Sequence, residues 1–559
     1  MIRPLILYLL LSLGFFISSN AQQKIRSVSL ITSKVLQYQK AEWNIHITGT
    51  FKNPYDQQEV KLDMVLISPS GKQLLLPCYY ESEGALSLWK ARFMPQEFGT
   101  YKYRFQLNAN TKLVDSSEIA SFNVKATNGK GILHTKNNWV LQYDNGKAFR
   151  GIGENIAWES RDNDDSRYFK ELHEDSKYNY EYMLPSLAKH GGNYFRTWIC
   201  SWNLPLDWKS GFNNRRYTNS IEYFNPSAIQ KMDRLAHLSD SLQIHLMLTL
   251  GPGTYNEKNG RYETSTANFF VDPKAKAQYK NRLRFIVARW GYSSAIGAWE
   301  FFNEIDNVQF GDKDNPISAE SIAQWHDEMS DYLKKIDPYN HIVTTSISHR
   351  DLDGLNSIAN IDLNQKHIYK NNKAIPTTII EYSEKFNKPY VIGEYGYEWD
   401  WSKNFNDFGD EMDSDFKRGL WYGLFSPTPI LPLSWWWEFF DNRGTDAYII
   451  RVRTILDQMI VAGNGSFEKV QATSSLPGIE MFAVKCGDKT FVYAYNPTNE
   501  RKEMDIGIGI PLISSKKIKV YDCESGKYGW IKSHILNNTV QIKSFVLDAN
   551  TDVIFILSE

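Results

Sequence analysis

The sequence predicts a multidomain protein: a central (β/α)8 TIM barrel flanked by an N-terminal immunoglobulin-like β-sandwich and a C-terminal β-sandwich. Three observations lead there. At 559 residues the chain exceeds what one hydrophobic core serves. The apolar rhythm changes twice, from short alternating runs to strand-and-helix units near residue 127, and back to alternating runs near residue 464. Two glutamates, Glu304 and Glu394, each sit where an apolar strand gives way to a loop, the position from which barrel strands present side chains to a site.

The first segment, residues 1–21, has one basic residue, Arg3, an apolar run from Leu5 to Ile17, and small residues in Ser19-Asn20-Ala21. This is the pattern of a secretory signal cleaved after Ala21, so the mature protein is expected to be secreted or periplasmic. The run is short of the ~20 residues that a membrane span needs, so no stable membrane insertion is expected.

Residues 22–126 alternate apolar and polar side chains in runs such as Trp43-Asn-Ile-His-Ile-Thr and Tyr101-Lys-Tyr-Arg-Phe-Gln-Leu, divided by turn signals such as Ser68-Pro-Ser-Gly71. Half-buried strands at this spacing form a small sandwich. Trp43 and Trp89 are either its core or a platform for polysaccharide.

Residues 127–463 carry the barrel units. Strands are expected at 149–153, 193–198, 243–250, 298–303, 341–346, 362–367, 390–393 and 430–435. Helical periodicity is clear over 275–290 and 318–336 and weaker over 448–462. Residues 464–559 return to short strands, among them Thr490-Phe-Val-Tyr-Ala-Tyr and Asp552-Val-Ile-Phe-Ile-Leu. Trp530 is a candidate for glycan capture there.

Composition narrows the partners. With 63 basic against 64 acidic residues there is no field to attract nucleic acid. A monomer is expected. Cys78, Cys200, Cys486 and Cys523 lack metal-ligand spacing, and Cys486 and Cys523 can either bridge two late strands or stay as buried thiols. No phosphate loop, nucleotide motif or compact His/Cys cluster occurs, so no cofactor and no metal is implied. Aromatic residues make up 14% of the chain, many beside Gly, Asn and Asp, where a ring face can meet a sugar.

The chemistry lies in the carboxylates. Asn303-Glu304 closes Gly297-Ala-Trp-Glu-Phe-Phe, and Glu394 closes Pro389-Tyr-Val-Ile-Gly. Glycoside hydrolysis needs such a pair: one acid to protonate the departing oxygen and one carboxylate to attack or stabilise the sugar cation. Glu304, as acid, needs its pKa raised by an apolar wall, expected from Phe301, Phe302 and the strand-eight tryptophans, and by the charge of Glu394. Glu300 shares strand parity with Glu304 but lies deeper, as the buried partner of a cation. His245 reads as a satisfied core histidine.

These motifs, in this order, resemble a clan A retaining glycoside hydrolase of the cellulase and mannanase-like kind, over about Phe149 to Phe440. The resemblance implies Glu304 as acid/base after Asn303 and Glu394 as nucleophile. It also implies Arg196 in Asn193-Tyr-Phe-Arg as support for the nucleophile, His367 or Tyr369 after strand six, and one of Trp435, Trp436 and Trp437 on strand eight. A β-linked polysaccharide or oligosaccharide is the substrate it implies. Strand alternation would put Trp435 and Trp437 on one side. Further aromatics on loops at the same end, Trp158, Trp198, Trp202, Tyr255, Trp399 and Trp401, suggest a cleft of several subsites and endo-action. Asp306 and Asp400 are extra carboxylates that could crowd the site or hold a cation. Transglycosylation, or a barrel that only binds glycan, would use the same residues.

Overall fold

A computed structural model of the protein describes residues 23–251, 265–311, 313–510, 517–536 and 539–558. The expected signal segment and Tyr255 lie outside these residues. Among the described residues no helix is long and apolar enough to cross a membrane.

The N-terminal region pairs its strands into two antiparallel sheets, of four and five strands. Ala41–Thr48 shows why: every second side chain is buried, and Trp43, Ile45 and Ile47 meet Leu62, Met64, Trp89 and Phe105 in one core. Trp43 is 0% and Trp89 2% exposed, so both are core and neither is open to a polysaccharide. Each such fully buried apolar side chain is worth roughly 1.5–3 kcal/mol.

Seven parallel strands follow, in sequence order, and curl into a nearly closed barrel. They are β1 (Gly153–Asn155), β2 (Tyr194–Trp198), β3 (His245–Thr249), β4 (Ile296–Glu300), β5 (Val343–Ile347), β6 (Leu363–Tyr369) and β7 (Tyr390–Gly396). All of β1 to β5 and β7 is buried, as expected for a parallel sheet covered on both faces.

Two strand expectations need correction. The first strand is not 149–153. Ala148–Phe149 instead joins Leu133–Thr135 and Leu141–Tyr143 in an antiparallel ribbon, which packs Leu133, Leu141, Tyr143 and Phe149 against Tyr194, Met247 and Ala298 of the barrel. The parallel strand begins at Gly153, where a Cβ would lie 1.8 Å from the Tyr194 carbonyl oxygen. Only glycine permits that approach. The eighth segment, 430–435, is not a regular strand, because Pro429 and Pro432 have no N–H to give to a ladder. It still meets both edges of the sheet: Asn155 donates to the Ser434 carbonyl at 2.9 Å, and Tyr395 donates to the Leu433 carbonyl at 3.1 Å.

The expected helices form. α1 (Pro273–Trp290) starts with Pro at its first position and Asp272 accepting from the Lys274 N–H. α3 (Ala319–Ile336), which follows the short α2 (Ile305–Gln309), is capped by Ser318 and buries Ile322, Trp325, Met329, Leu333 and Ile336 along one stripe. α4 (Ile449–Gly463) packs against the C-terminal region, where ten strands make antiparallel sheets of six and four. All four cysteines are buried and free, so Cys486 and Cys523 form no bridge. His245 meets the Tyr143 hydroxyl at 2.8 Å, and burial pushes its pKa down to about 3, keeping it neutral in the core.

Candidate active site

The C-terminal ends of β2, β4, β6 and β7 bring six of the expected residues into one hydrogen-bonded cluster. Arg196, fully buried on β2, is the hub. Its Nη1 donates to Glu394 Oε1 at 2.7 Å and to Asn155 Oδ1 at 3.1 Å, and its Nη2 donates to Asn303 Oδ1 at 2.8 Å. The other edge of the guanidinium grips Glu300, Nε to Oε2 at 2.6 Å and Nη2 to Oε1 at 2.8 Å, while the Thr249 hydroxyl donates to the same Oε2 at 2.6 Å. Glu300 is thus the buried cation partner that strand parity suggested.

Glu394 lies within β7 rather than past its end, and is 4% exposed. The Tyr369 hydroxyl donates to its Oε2 at 2.7 Å. Burial raises the Glu394 pKa and the neighbouring Glu304 charge adds to this, against His367, Arg196 and the Tyr369 hydrogen bond, which lower it.

Glu304 stands four residues beyond β4's last residue, Glu300, at the cap of α2, with φ 47° and ψ 55°. A left-handed glutamate costs roughly 1–2 kcal/mol, and the bond from its N–H to Ser346 Oγ at 2.9 Å helps to hold it there. Its side chain keeps 22% exposure and is bracketed by His367 Nδ1 on Oε1 and Asn307 Nδ2 on Oε2, both at 2.8 Å. His367 Nδ1 also lies 3.4 Å from Glu394 Oε2.

The expected high pKa of Glu304 is not what the empty site gives. Burial acts to raise it, but the His367 hydrogen bond and charge, with Asn307 and Arg196, outweigh burial and hold it below the usual range. The expected wall is also absent on one side. Phe301 and Phe302 turn away to pack on Trp325 and His326 of α3, because the chain leaves the strand geometry after Glu300.

The tryptophans divide. Trp158 stands at the centre of an edge-to-face cluster with Trp198, Trp202, Trp435 and Trp437, at centroid distances of 5.2–5.6 Å. Arg196 lies 5.5 Å over the Trp198 ring and so joins this cluster to the carboxylates. Trp435 and Trp437 do share a side, but not through strand alternation: Trp436 takes φ 70°, and Trp437 begins a helix. Trp436 goes the other way, onto Phe169 and Phe405. Trp399 and Trp401 are 59% and 41% exposed, and Lys370, next to Tyr369, lies 5.3 Å over the Trp399 ring.

Asp306 and Asp400 do not crowd the pair. Asp306 is buried and accepts the N–H groups of Ser348, His349 and Arg350; Asp400 accepts from Ser402. Four contributors had no sequence motif to reveal them: Thr249, Asn307, Ser346 and Asn155, whose Nδ2 donates to the carbonyls of Gly393, Leu433 and Ser434. Donor atoms of Glu304, His367 and Glu394 lie within 4.8 Å of one another, close enough to ligate a cation as well as to share a sugar. Each is already engaged by an internal hydrogen bond.

Known proteins resemble this chain in parts. Residues 34–108 match a domain of unknown function, DUF5060. Mannan endo-1,4-β-mannosidase A of Podospora anserina is 25% identical over 207 residues, 31% of this chain and 52% of that protein. Mannan endo-1,4-β-mannosidase 4 of Solanum lycopersicum is 23% identical over 260 residues, 37% of this chain and 61% of that protein. A crystal structure of a candidate glycoside hydrolase from Bacteroides vulgatus aligns over 94% of this chain and all of its own, with TM-score 0.66 and 15% identity, a likeness of fold. The barrel is a relative of the clan A glycoside hydrolases. The chain spans about half to three-fifths of the length of these two mannosidases.

Proposed function

We propose that the chain is a retaining glycoside hydrolase that cleaves β-linked polysaccharide or oligosaccharide in the endo mode, with Glu394 as nucleophile and Glu304 as acid/base. One observation carries this reading: one oxygen of each carboxylate lies within 4.8 Å of one on the other, an approach that favours the closer of the two spacings used in glycoside hydrolysis. Double displacement uses carboxyl groups ~5–5.5 Å apart, whereas an inverting water needs ~6.5–9.5 Å.

In this reading Arg196 and Tyr369 hold the two oxygens of Glu394 so that one faces the anomeric carbon. Glu304 is ionised in the empty site and gains its proton as substrate enters and the leaving oxygen takes the place of a His367 contact. Attack by Glu394 makes the glycosyl-enzyme and removes the negative charge beside Glu304. The Glu304 pKa then falls, so the group that gave a proton to the leaving oxygen can take one from water. Asn303, oriented by Arg196, is available to the sugar 2-hydroxyl, and the Trp158 cluster with Trp399 supplies ring faces along a cleft.

The wider layout is part of the proposal. Segment 430–435 serves as the eighth barrel strand, the barrel spans 127–463, and residues 22–126 and 464–559 are β-sandwiches, the first immunoglobulin-like. The protein is secreted or periplasmic as a monomer. The names of the related mannosidases make β-1,4-mannan the first substrate to try, since selectivity among β-glycans rests on loop contacts worth a few kcal/mol.

The test is reducing-end release from a panel of β-linked polysaccharides by the full chain and by Glu394→Ala and Glu304→Ala. Loss in both, with azide restoring Glu394→Ala and yielding the inverted glycosyl azide, supports the roles. Undiminished activity in either variant would sink its assignment.

A further inference from the structure

Away from the barrel cleft, strands β8 (Lys517–Asp522) and β9 (Tyr528–Lys532) pair antiparallel, and β9 is the edge of the six-stranded sheet. Their register sets Lys517 opposite Lys532, Lys519 opposite Trp530, and Tyr521 opposite Tyr528, all on one face. Ile518, Val520 and Ile531 turn the other way, into the core of the sandwich. At one end of the face α4 covers the sheet: the Tyr521 hydroxyl donates to the Arg451 carbonyl at 3.2 Å, and Gln458 Nε2 donates to the Tyr528 hydroxyl at 2.9 Å. Toward the other end the cover stops. Tyr528 is 41% and Trp530 66% exposed.

This open end has a consistent chemistry. Lys519 Nζ sits 3.7 Å from the Tyr528 ring centroid, held by the ring rather than by a carboxylate. None of the six face positions is acidic: Asp522 belongs to the opposite face, and Glu524 is paired with Lys417 at 2.9 Å. The edge strand thus offers the exposed Trp530 indole and Tyr528 ring beside two lysines, with no carboxylate among the face positions.

We infer that this face is a second carbohydrate-binding site, taking an acidic polysaccharide. The indole of Trp530 stacks on a sugar ring. Lys519, across the ladder, and Lys532, about 7 Å further along the strand, meet carboxylates on that ring and its neighbour. Nucleic acid fits less well, because one open indole is not a row of stacking platforms. The site would hold the chain near its polymer while the barrel works elsewhere, and it stands whether or not the barrel hydrolyses.

The test is affinity electrophoresis of the full chain carrying Glu394→Ala, in native gels containing alginate, neutral mannan or poly(dT). Alginate should retard the protein. Adding Trp530→Ala should weaken retention about tenfold or more, and adding Lys519→Ala with Lys532→Ala should weaken it and flatten its salt dependence. Trp530 and Lys532 are exposed and Lys519 is half-buried, so melting of each variant is measured alongside, and weakened retention at unchanged melting separates loss of binding from loss of fold. Equal retention of the parent and either surface variant, retention by mannan but not alginate, or equal retention by poly(dT) overturns the proposal.

Discussion

Arg196 and Glu394 form an ion pair at 2.7 Å in which neither side chain is more than 5% exposed. The same guanidinium holds Glu300 through a second edge, and Glu300 is held in turn by Thr249. The orientation of Glu394 is therefore set through two strands, by a planar fork that a lysine cannot reproduce.

Replacing Arg196 with Lys keeps the charge but loses the fork. We expect kcat to fall by ~10²-fold or more, with a smaller change in KM, because the misplaced group is the proposed nucleophile. Glu300→Gln, which touches no substrate, should act in the same direction but more weakly. Steady-state kinetics on a soluble β-glycan, with far-UV dichroism to verify folding, checks both. A change confined to KM would contradict the positioning role.

His367 sets the pH dependence. Its hydrogen bond and charge favour the ionised form of Glu304, so His367→Gln should raise the Glu304 pKa. The alkaline limb of the kcat/KM profile, where the acid is lost, should then move to higher pH. A limb that stays put, or moves down, would show that another group controls it.

Stability should carry a signature of Glu438. Burial, with the Asp164 charge adding and His173 and Arg161 opposing, lifts its pKa to about 7. A carboxyl raised on folding contributes stability that is complete below its unfolded pKa, near 4, and is lost as pH rises through 7. Glu438→Gln should therefore flatten the decline in stability between pH 4 and 7, a term of at most about 4 kcal/mol. Urea unfolding at a series of pH values measures it.

At the seam between the N-terminal sheets and α1, Arg284 Nη2 meets Asp63 Oδ1 at 2.5 Å and the Leu62 carbonyl at 2.6 Å, all buried. Asp63→Ala strands that cation and should cost ~3–5 kcal/mol. A Tm change below a few degrees would mean that water reaches the arginine.

Trp399 is exposed beyond β7, and under the proposed function its ring would meet a distant part of a long substrate. Trp399→Ala should raise KM several-fold for polymer while leaving a short oligosaccharide unchanged; equal effects on both would remove it from the cleft.

The network around Arg196 was legible because strand ends in a barrel converge whatever the loops do, so residues at the same depth on β2, β4, β6 and β7 must meet. Glu300 was legible for the same reason, since parity fixes a side chain's direction. Phe301 and Phe302 were misread where the chain stops being a strand, and Trp435 and Trp437 share a side for a reason other than strand alternation. The left-handed residues Glu304 and Trp436 break the period of two on which that reading relied. Thr249, Ser346 and Asn155 carry no spacing that marks them, because their partners are side chains far along the chain; Asn307 lies only three residues from Glu304, but its contact depends on the left-handed turn at Glu304.

By itself the sequence determined most of the element types and which carboxylates and cation the barrel brings together, since periodicity and strand order are local properties that the barrel only assembles. Tertiary structure alone decided the protonation tendencies of Glu304 and Glu394, the closing of the sheet by a proline-interrupted segment, and the burial of Trp43 and Trp89. Each depends on the field and packing supplied by residues tens to hundreds of positions away, and no window of sequence contains them.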